Sequence, residues 1–167
     1  MVEQGELAEG IDEMRRGLDA CSSAGVEIWQ PFLLCLLTEA YQKARQLGQG
    51  LAAVADAEAL AEKNEEHIWI PELYRLKGEL LLAEGAAASE VELCFERAIE
   101  IARSQKAKSL ELRAAMSLAR LWQAQGIAAA AYEMLASIYG WFTEGFDTSD
   151  LKEAKTLLAE LASRSDR

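Results

Sequence analysis

The chain of 167 residues carries 28 acidic and 17 basic side chains, a formal net charge of -11 at pH 7. A field of that sign repels phosphate backbones and anionic lipids, so we expect neither nucleic acid nor a membrane as a partner. Ala and Leu dominate the composition, whereas Val, Ile and Thr are scarce and Pro occurs only at positions 31 and 71. This balance excludes all-β and nucleotide-binding α/β chains and predicts an all-α protein, a single domain over residues 1–167.

The cysteines, the N-terminal residues and the lengths of the apolar runs bear on the cellular compartment of the protein. Cys21, Cys35 and Cys94 are odd in number, far apart and set among apolar residues, which favours reduced, buried thiols over disulfides or a metal site. The chain opens without a basic and apolar leader, and no apolar run approaches the ~20 residues of a membrane span. We therefore expect a soluble, cytoplasmic protein.

Eight helices are predicted in chain order, at 4–22, 29–47, 50–64, 70–84, 89–105, 108–125, 127–142 and 148–163. Glycines are typical of helix C-termini, and here they separate the helices at Gly48, Gly50, Gly85 and Gly126. Pro31 and Pro71 suit the first turn of a helix. Ser89 and Glu92 have the spacing of a capping box, and Thr148 that of an N-cap.

The two prolines also reveal an internal repeat. Pro31 and Pro71 each end a similar string, Ile-Trp-Gln-Pro and Ile-Trp-Ile-Pro, and residues 108–122 continue the phase without a proline. A small residue followed three positions later by a large one recurs in this phase at Thr38/Tyr41, Gly78/Leu81 and Ala119/Trp122. The pattern predicts hairpins at 29–64, 70–105 and 108–142, stacked into an αα-superhelix with a period of about 40 residues.

The two terminal helices fall outside these hairpins. The first helix is an orphan second half, and we expect its apolar stripe of Leu7, Ile11 and Met14 to be covered by a further repeat or by self-association, as a homodimer through this helix. Helix 148–163 is expected to cap the array. The preceding aromatic residues, Tyr139, Trp141, Phe142 and Phe146, are interpreted as a capping cluster in preference to a ligand box.

These residues resemble the tetratricopeptide-repeat (TPR) superfamily, with Gly78/Leu81 and Ala119/Trp122 at the small and bulky positions of its first helix and Ala98 and Ala131 at the alanines of its second. The period of about 40 departs from the family's 34, and its early tryptophan is missing, so the chain is TPR-like. The segments 71–85, 108–122 and 139–158 further resemble the C-terminal repeats of bacterial signalling proteins that carry an AAA-type or STAND-type ATPase domain, often with a cyclase or transcription-regulator domain. This resemblance implies a regulatory or sensor segment of such a system.

Catalytic motifs are missing from the sequence. It has neither a GxxxxGK[ST] phosphate loop nor GxGxxG, and its one histidine, His67, is interpreted as a solvated turn residue. We therefore predict a protein that is not an enzyme, with no cofactor and no metal site. Trp29 and Trp69 could form an exposed binding pair, but their equivalent places before the prolines favour packing at the hairpin junctions.

The resemblance implies a concave partner-binding groove lined by the first helices. Carried over by phase, its positions are Phe32, Cys35, Glu39, Gln42, Glu72, Arg75, Glu79, Leu82, Arg113, Met116, Arg120 and Gln123. Residues 107–126 are the distinctly positive stretch of an acidic chain, so Arg113 and Arg120 could receive an acidic, partly apolar peptide. Alternatively, these arginines pair with Glu72 or Glu79. Likewise, Glu72, Arg75 and Glu79 form either a surface ion pair or a polar row facing the groove.

The sequence leaves two functions open. The first is a non-enzymatic scaffold for binding a protein or peptide. The second is a sensor that binds a small molecule in the groove. An open groove would favour the scaffold, and a closed apolar pocket would favour the sensor.

Overall fold

The computed structural model describes the backbone of residues 2–165 and the side chains of residues 5–164. Within this range the chain forms eight α-helices and one 3₁₀ turn at His67–Trp69, with no β-strand. The helices are α1 (Val2–Ser23), α2 (Gln30–Lys43), α3 (Leu47–Lys63), α4 (Ile70–Glu84), α5 (Ala88–Ser104), α6 (Lys108–Ala124), α7 (Ala128–Tyr139) and α8 (Ser149–Ser165). The predicted all-α fold, in which neighbouring helices pack as pairs, is confirmed.

The helices divide into two compact units. The first comprises residues 1–86 and holds α1 to α4, and the second comprises residues 87–167 and holds α5 to α8. The division falls in the short connection between α4 and α5, inside the predicted hairpin 70–105. The single domain over residues 1–167 stays a prediction.

In the first unit α2 packs against α1, α3 and α4, and α3 packs against α4. The core contains Val54, Leu73, Leu76 and Leu80, all nearly inaccessible to solvent. The stripe of α1 joins this core, with Ile11 buried and Leu7, Met14 and Leu18 half-buried against it. The expectation that a second copy or a further repeat covers this stripe is therefore wrong for Ile11. The homodimer through α1 stays a prediction, and the apolar surface that α1 could bury in such a dimer is smaller than expected.

In the second unit α6 packs against α5, α7 and α8, and α7 packs against α8. Phe95 of α5, Leu112 of α6, Leu135 of α7 and Leu161 of α8 are all buried. Trp122 Nε1 donates to Glu92 Oε1 at 2.6 Å and so joins α6 to α5. The terminal helix α8 buries its apolar stripe within this unit.

The C-terminal ends of α1 to α6 share one backbone motif. After each helix a residue adopts positive φ, and the next residue donates its amide N–H back to a carbonyl five positions earlier, as Val26 donates to Cys21 at 2.9 Å and Glu66 to Ala61 at 2.9 Å. This is the Schellman motif, which satisfies the last carbonyls of a helix. In these six motifs the residues with positive φ recur at nearly equal intervals along the chain, as Gly25, Arg45, Glu65, Gly85, Lys106 and Gly126.

Two sequence predictions of helix ends need correction. Gly48 and Gly50 lie inside α3 and do not end α2, because Arg45 takes the left-handed position with φ 59°. Ser89 is not an N-cap, because α5 begins one residue earlier and Glu92 instead accepts the Trp122 N–H. Both prolines do lie in the first turn of their helices, as predicted.

Candidate functional site

Five of the predicted groove residues form one hydrogen-bonded network in the first unit. Arg75 donates a bidentate pair of hydrogen bonds to the Glu72 carboxylate, from Nη2 to Oε1 at 2.6 Å and from Nε to Oε2 at 3.0 Å. Arg75 Nη1 also donates to Glu79, and Nη2 lies 3.4 Å from Glu39 Oε1. Gln42 Nε2 completes the network by donating to Glu79 Oε2 at 3.1 Å. Glu39 and Gln42 come from α2 and the other three residues from α4, so the network joins two helices.

The centre of this network is buried, unlike a surface ion pair, while Glu39 and Glu79 at its edge are 30% and 23% exposed. The side chains of Arg75 and Glu72 are 8% and 4% exposed. Burial lowers the pKa of Arg75, but the hydrogen bond and charge of Glu72, followed by those of Glu79, outweigh it and raise the pKa above its usual value. The guanidinium therefore stays charged, and all three of its nitrogen atoms are engaged by carboxylates of the same unit. Its role in this arrangement is to hold α2 against α4.

The two repeated tryptophans have different environments. The ring of Trp69 packs on Phe32, a predicted groove residue, with centroids 4.6 Å apart, and its Nε1 is buried with no hydrogen-bond partner among the described residues. Trp29 lies in the left-handed backbone region with φ 69° and is 57% exposed. The shared packing role predicted for the pair therefore holds for Trp69 and is wrong for Trp29.

Trp29 belongs to an open cleft of about 770 Å³ in the first unit. This loop cleft is formed by the α1–α2 and α3–α4 connections and lined by Gly25, Val26, Glu27, Ile28, Trp29, Asn64, Glu65, Glu66 and Ile68. Four of these side chains, Val26, Ile28, Trp29 and Ile68, are large, apolar and between 46% and 67% exposed. Such side chains gathered in one concavity are typical of interaction sites.

The local backbone explains why these apolar groups face solvent. Gly25 and Glu65 take the positive-φ positions of two Schellman motifs, so the chain reverses just before each Ile-Trp string. Trp29 is held in a backbone region that costs an L-residue about 1–2 kcal/mol. Conformations of this kind concentrate at functional sites. The repeated Ile-Trp pair was visible in the sequence, but the left-handed backbone of Trp29, which separates it from Trp69, carries no sequence signal.

A second cleft of about 550 Å³ lies between α1, α2 and α3 in the same unit. Its lining is mixed, with Arg15, Asp19 and Asp56 among Leu and Ala side chains, and it is also open to solvent. It holds none of the predicted groove residues.

The predicted groove residues of the second unit differ from one another in burial and in their partners. Met116 is buried, and Arg113 is half-buried. Arg120 is exposed and pairs with Glu153 of α8, and Gln123 has a buried Nε2 with no hydrogen-bond partner among the described residues. Binding of an acidic peptide by Arg113 and Arg120 stays a prediction.

The aromatic residues between α7 and α8 make two pairs. Tyr139 and Phe146 have ring centroids 5.9 Å apart, and Trp141 meets Phe142 edge-on at 5.3 Å. Lys108 Nζ lies 5.4 Å from the centroid of the Trp141 ring. Trp141 and Phe146 remain about half exposed, so only part of the aromatic surface of this predicted capping cluster is buried by packing.

No model of a known protein family matches this sequence, and no curated protein matches it. In the part of the chain that the structure describes, every helix is too short or too polar to cross a membrane.

Proposed function

We propose that this chain is a non-enzymatic scaffold for protein–protein interaction, the regulatory or sensor segment of a cytoplasmic bacterial signalling system with an ATPase or cyclase. The observation that carries the interaction role is the loop cleft, where Val26, Ile28, Trp29 and Ile68 expose apolar surface in one concavity. The signalling context rests on the resemblance of the repeat segments to the C-terminal regions of such proteins.

The alternative, a small-molecule sensor, has less support. Small ligands are mostly buried in their sites, and the loop cleft and the cleft between α1, α2 and α3 are open to solvent. An extended surface between connecting loops suits a protein segment better, because a protein partner can cover it without being enclosed.

Site-specific photo-crosslinking in the cells that make this chain tests the proposal. Ile68→p-benzoylphenylalanine puts a photoreactive ring in the loop cleft, and Leu93→p-benzoylphenylalanine puts the same ring at a similarly exposed apolar position of α5. We expect a covalent protein adduct from position 68 that is absent from position 93 and disappears when Trp29→Gly is added. The proposal fails if position 68 gives no protein adduct, or the same adducts as position 93.

A further inference from the structure

We infer that the loop cleft binds a protein segment whose apolar side chains are flanked by Lys or Arg. This inference rests on the proposed interaction function and specifies the chemistry of the partner. It depends on two properties of the cleft, its apolar surface and the charge around it.

The apolar surface comes from both connections. Val26, Ile28 and Trp29 come from the α1–α2 connection, and Ile68 from the α3–α4 connection on the other side. Trp29 offers a wide ring and the others branched aliphatic groups, so the matching side chains of a partner are aliphatic or aromatic. An exposed tryptophan is also among the residue types most often found as energetic anchors in protein interfaces.

Carboxylates dominate the charge around this surface. The ionisable side chains lining the cleft are Glu27, Glu65 and Glu66. Glu27 Oε1 is paired with Lys63 Nζ at 2.6 Å, which offsets one of the three charges, while Glu65 is exposed to solvent. The surroundings therefore attract cations and repel anions.

The same charge argues against other occupants. An acidic peptide or an anionic membrane would place like charges beside Glu65 and Glu66, and their mutual repulsion costs free energy. A second copy of this chain carries a formal net charge of -11 and would be repelled as well. A segment that combines apolar residues with Lys or Arg complements both the apolar surface and the negative charge of the cleft.

Three synthetic peptides provide the probes. The first is a short amphipathic peptide of Leu and Lys, the second has Glu in place of every Lys, and the third keeps Lys but has Ser in place of every Leu. Binding to the full chain is measured by fluorescence anisotropy of the labelled peptide. We expect the Leu/Lys peptide to bind about tenfold or more tightly than either of the other two, since each lacks one of the two matching properties.

Matched variants locate this binding on the loop cleft. Glu65→Lys with Glu66→Lys reverses the charge of the cleft, and Lys suits position 65 because Lys106 occupies the equivalent left-handed position of the chain. Glu6→Lys with Glu9→Lys makes the same change in net charge at exposed positions of α1, more than about 20 Å along the helix from Ser23. We expect the first pair to weaken Leu/Lys binding about tenfold and the second pair to leave it within about twofold.

Different failures identify different errors. Equal binding of the Leu/Lys and Leu/Glu peptides, both lost in Trp29→Gly, would overturn the charge inference and leave the interaction function standing. Equal weakening by the two charge-reversing pairs would mean that the peptide follows net charge and not the cleft, and would also overturn it. Binding of the chain to phosphatidylcholine vesicles that depends on Trp29, without preference among the peptides, would assign the cleft to a membrane. Loss of the position-specific crosslink would overturn the interaction function itself.

Discussion

Gly50 of α3 and Leu80 of α4 meet at a close helix crossing in the first unit. A Cβ atom built on Gly50 would lie 2.9 Å from Leu80 Cδ2, closer than real Cβ atoms approach. Leu80 is completely buried, so its side chain has little room to move aside. The absence of a side chain at position 50 therefore sets how near α3 lies to α4.

We expect Gly50→Ala to lower the free energy of unfolding by about 1–3 kcal/mol, because the added methyl group overpacks the crossing. Gly48→Ala is the matched control, since a Cβ at Gly48 of the same helix would meet nothing within 4 Å. Ala is the better helix former, so this control should be neutral or stabilising by up to about 1 kcal/mol. Urea denaturation of both variants measures the difference, and equal stabilities would show that the crossing relaxes freely.

The helix-pair repeat was predictable from sequence because its signals are local. Prolines in the first turn and glycines at Gly85 and Gly126 gave most helix boundaries within a few residues. The end of α2 was placed too late, because the left-handed position there is held by Arg45 and not by glycine. A residue other than glycine can take that backbone when the Schellman hydrogen bonds and the packing of the next helix compensate for its cost.

The occupants of these left-handed positions give a second prediction. Arg45→Gly and Lys106→Gly should each raise the free energy of unfolding by up to about 1 kcal/mol, because glycine adopts positive φ without the steric cost of a Cβ. Gly126→Ala should lower it by a similar amount for the opposite reason. Thermal unfolding of the three variants, followed by circular dichroism, measures these shifts. A loss of stability in both glycine variants would contradict the argument.

The buried ion-pair network gives a third prediction. Arg75→Met keeps much of the length of the side chain but leaves Glu72, which is 4% exposed, without its cation, and should lower the free energy of unfolding by about 3 kcal/mol. Adding Glu72→Gln should recover part of that loss. Because Glu72 and Glu79 raise the pKa of Arg75, its contribution is present below the usual arginine value, as long as these two carboxylates are ionised.

Arg120→Met is the control for this measurement, since Arg120 and its partner Glu153 are both exposed. Exposed pairs contribute little, so we expect a change of about 1 kcal/mol or less. Similar losses at Arg75 and Arg120 in urea denaturation would refute a special role for the buried network.

The candidate site was only partly predictable. The spacing of Glu72, Arg75 and Glu79 on one helix face was visible in the sequence, but their union with Glu39 and Gln42 depends on the packing of α4 against α2, which is a tertiary contact. The sequence therefore indicated an ion pair among the three α4 residues but not its hydrogen bonds to Glu39 and Gln42 of α2. The loop cleft was missed for a different reason, since two identical Ile-Trp strings implied one environment and the backbone gives them two.

Trp29 and Trp69 provide the last prediction, which separates binding from folding. Trp29→Gly removes an exposed ring and relieves a left-handed backbone, so the free energy of unfolding should stay the same or rise. Trp69→Ala removes a half-buried ring that packs on Phe32 and should lower it by about 2 kcal/mol. Trp69→Phe keeps an aromatic ring on Phe32 and removes a buried N–H that has no partner among the described residues, so its cost should be below about 1 kcal/mol. Urea denaturation ranks the three variants, and a Trp29→Gly protein less stable than Trp69→Phe would mean that Trp29 supports the fold and is not held for a partner.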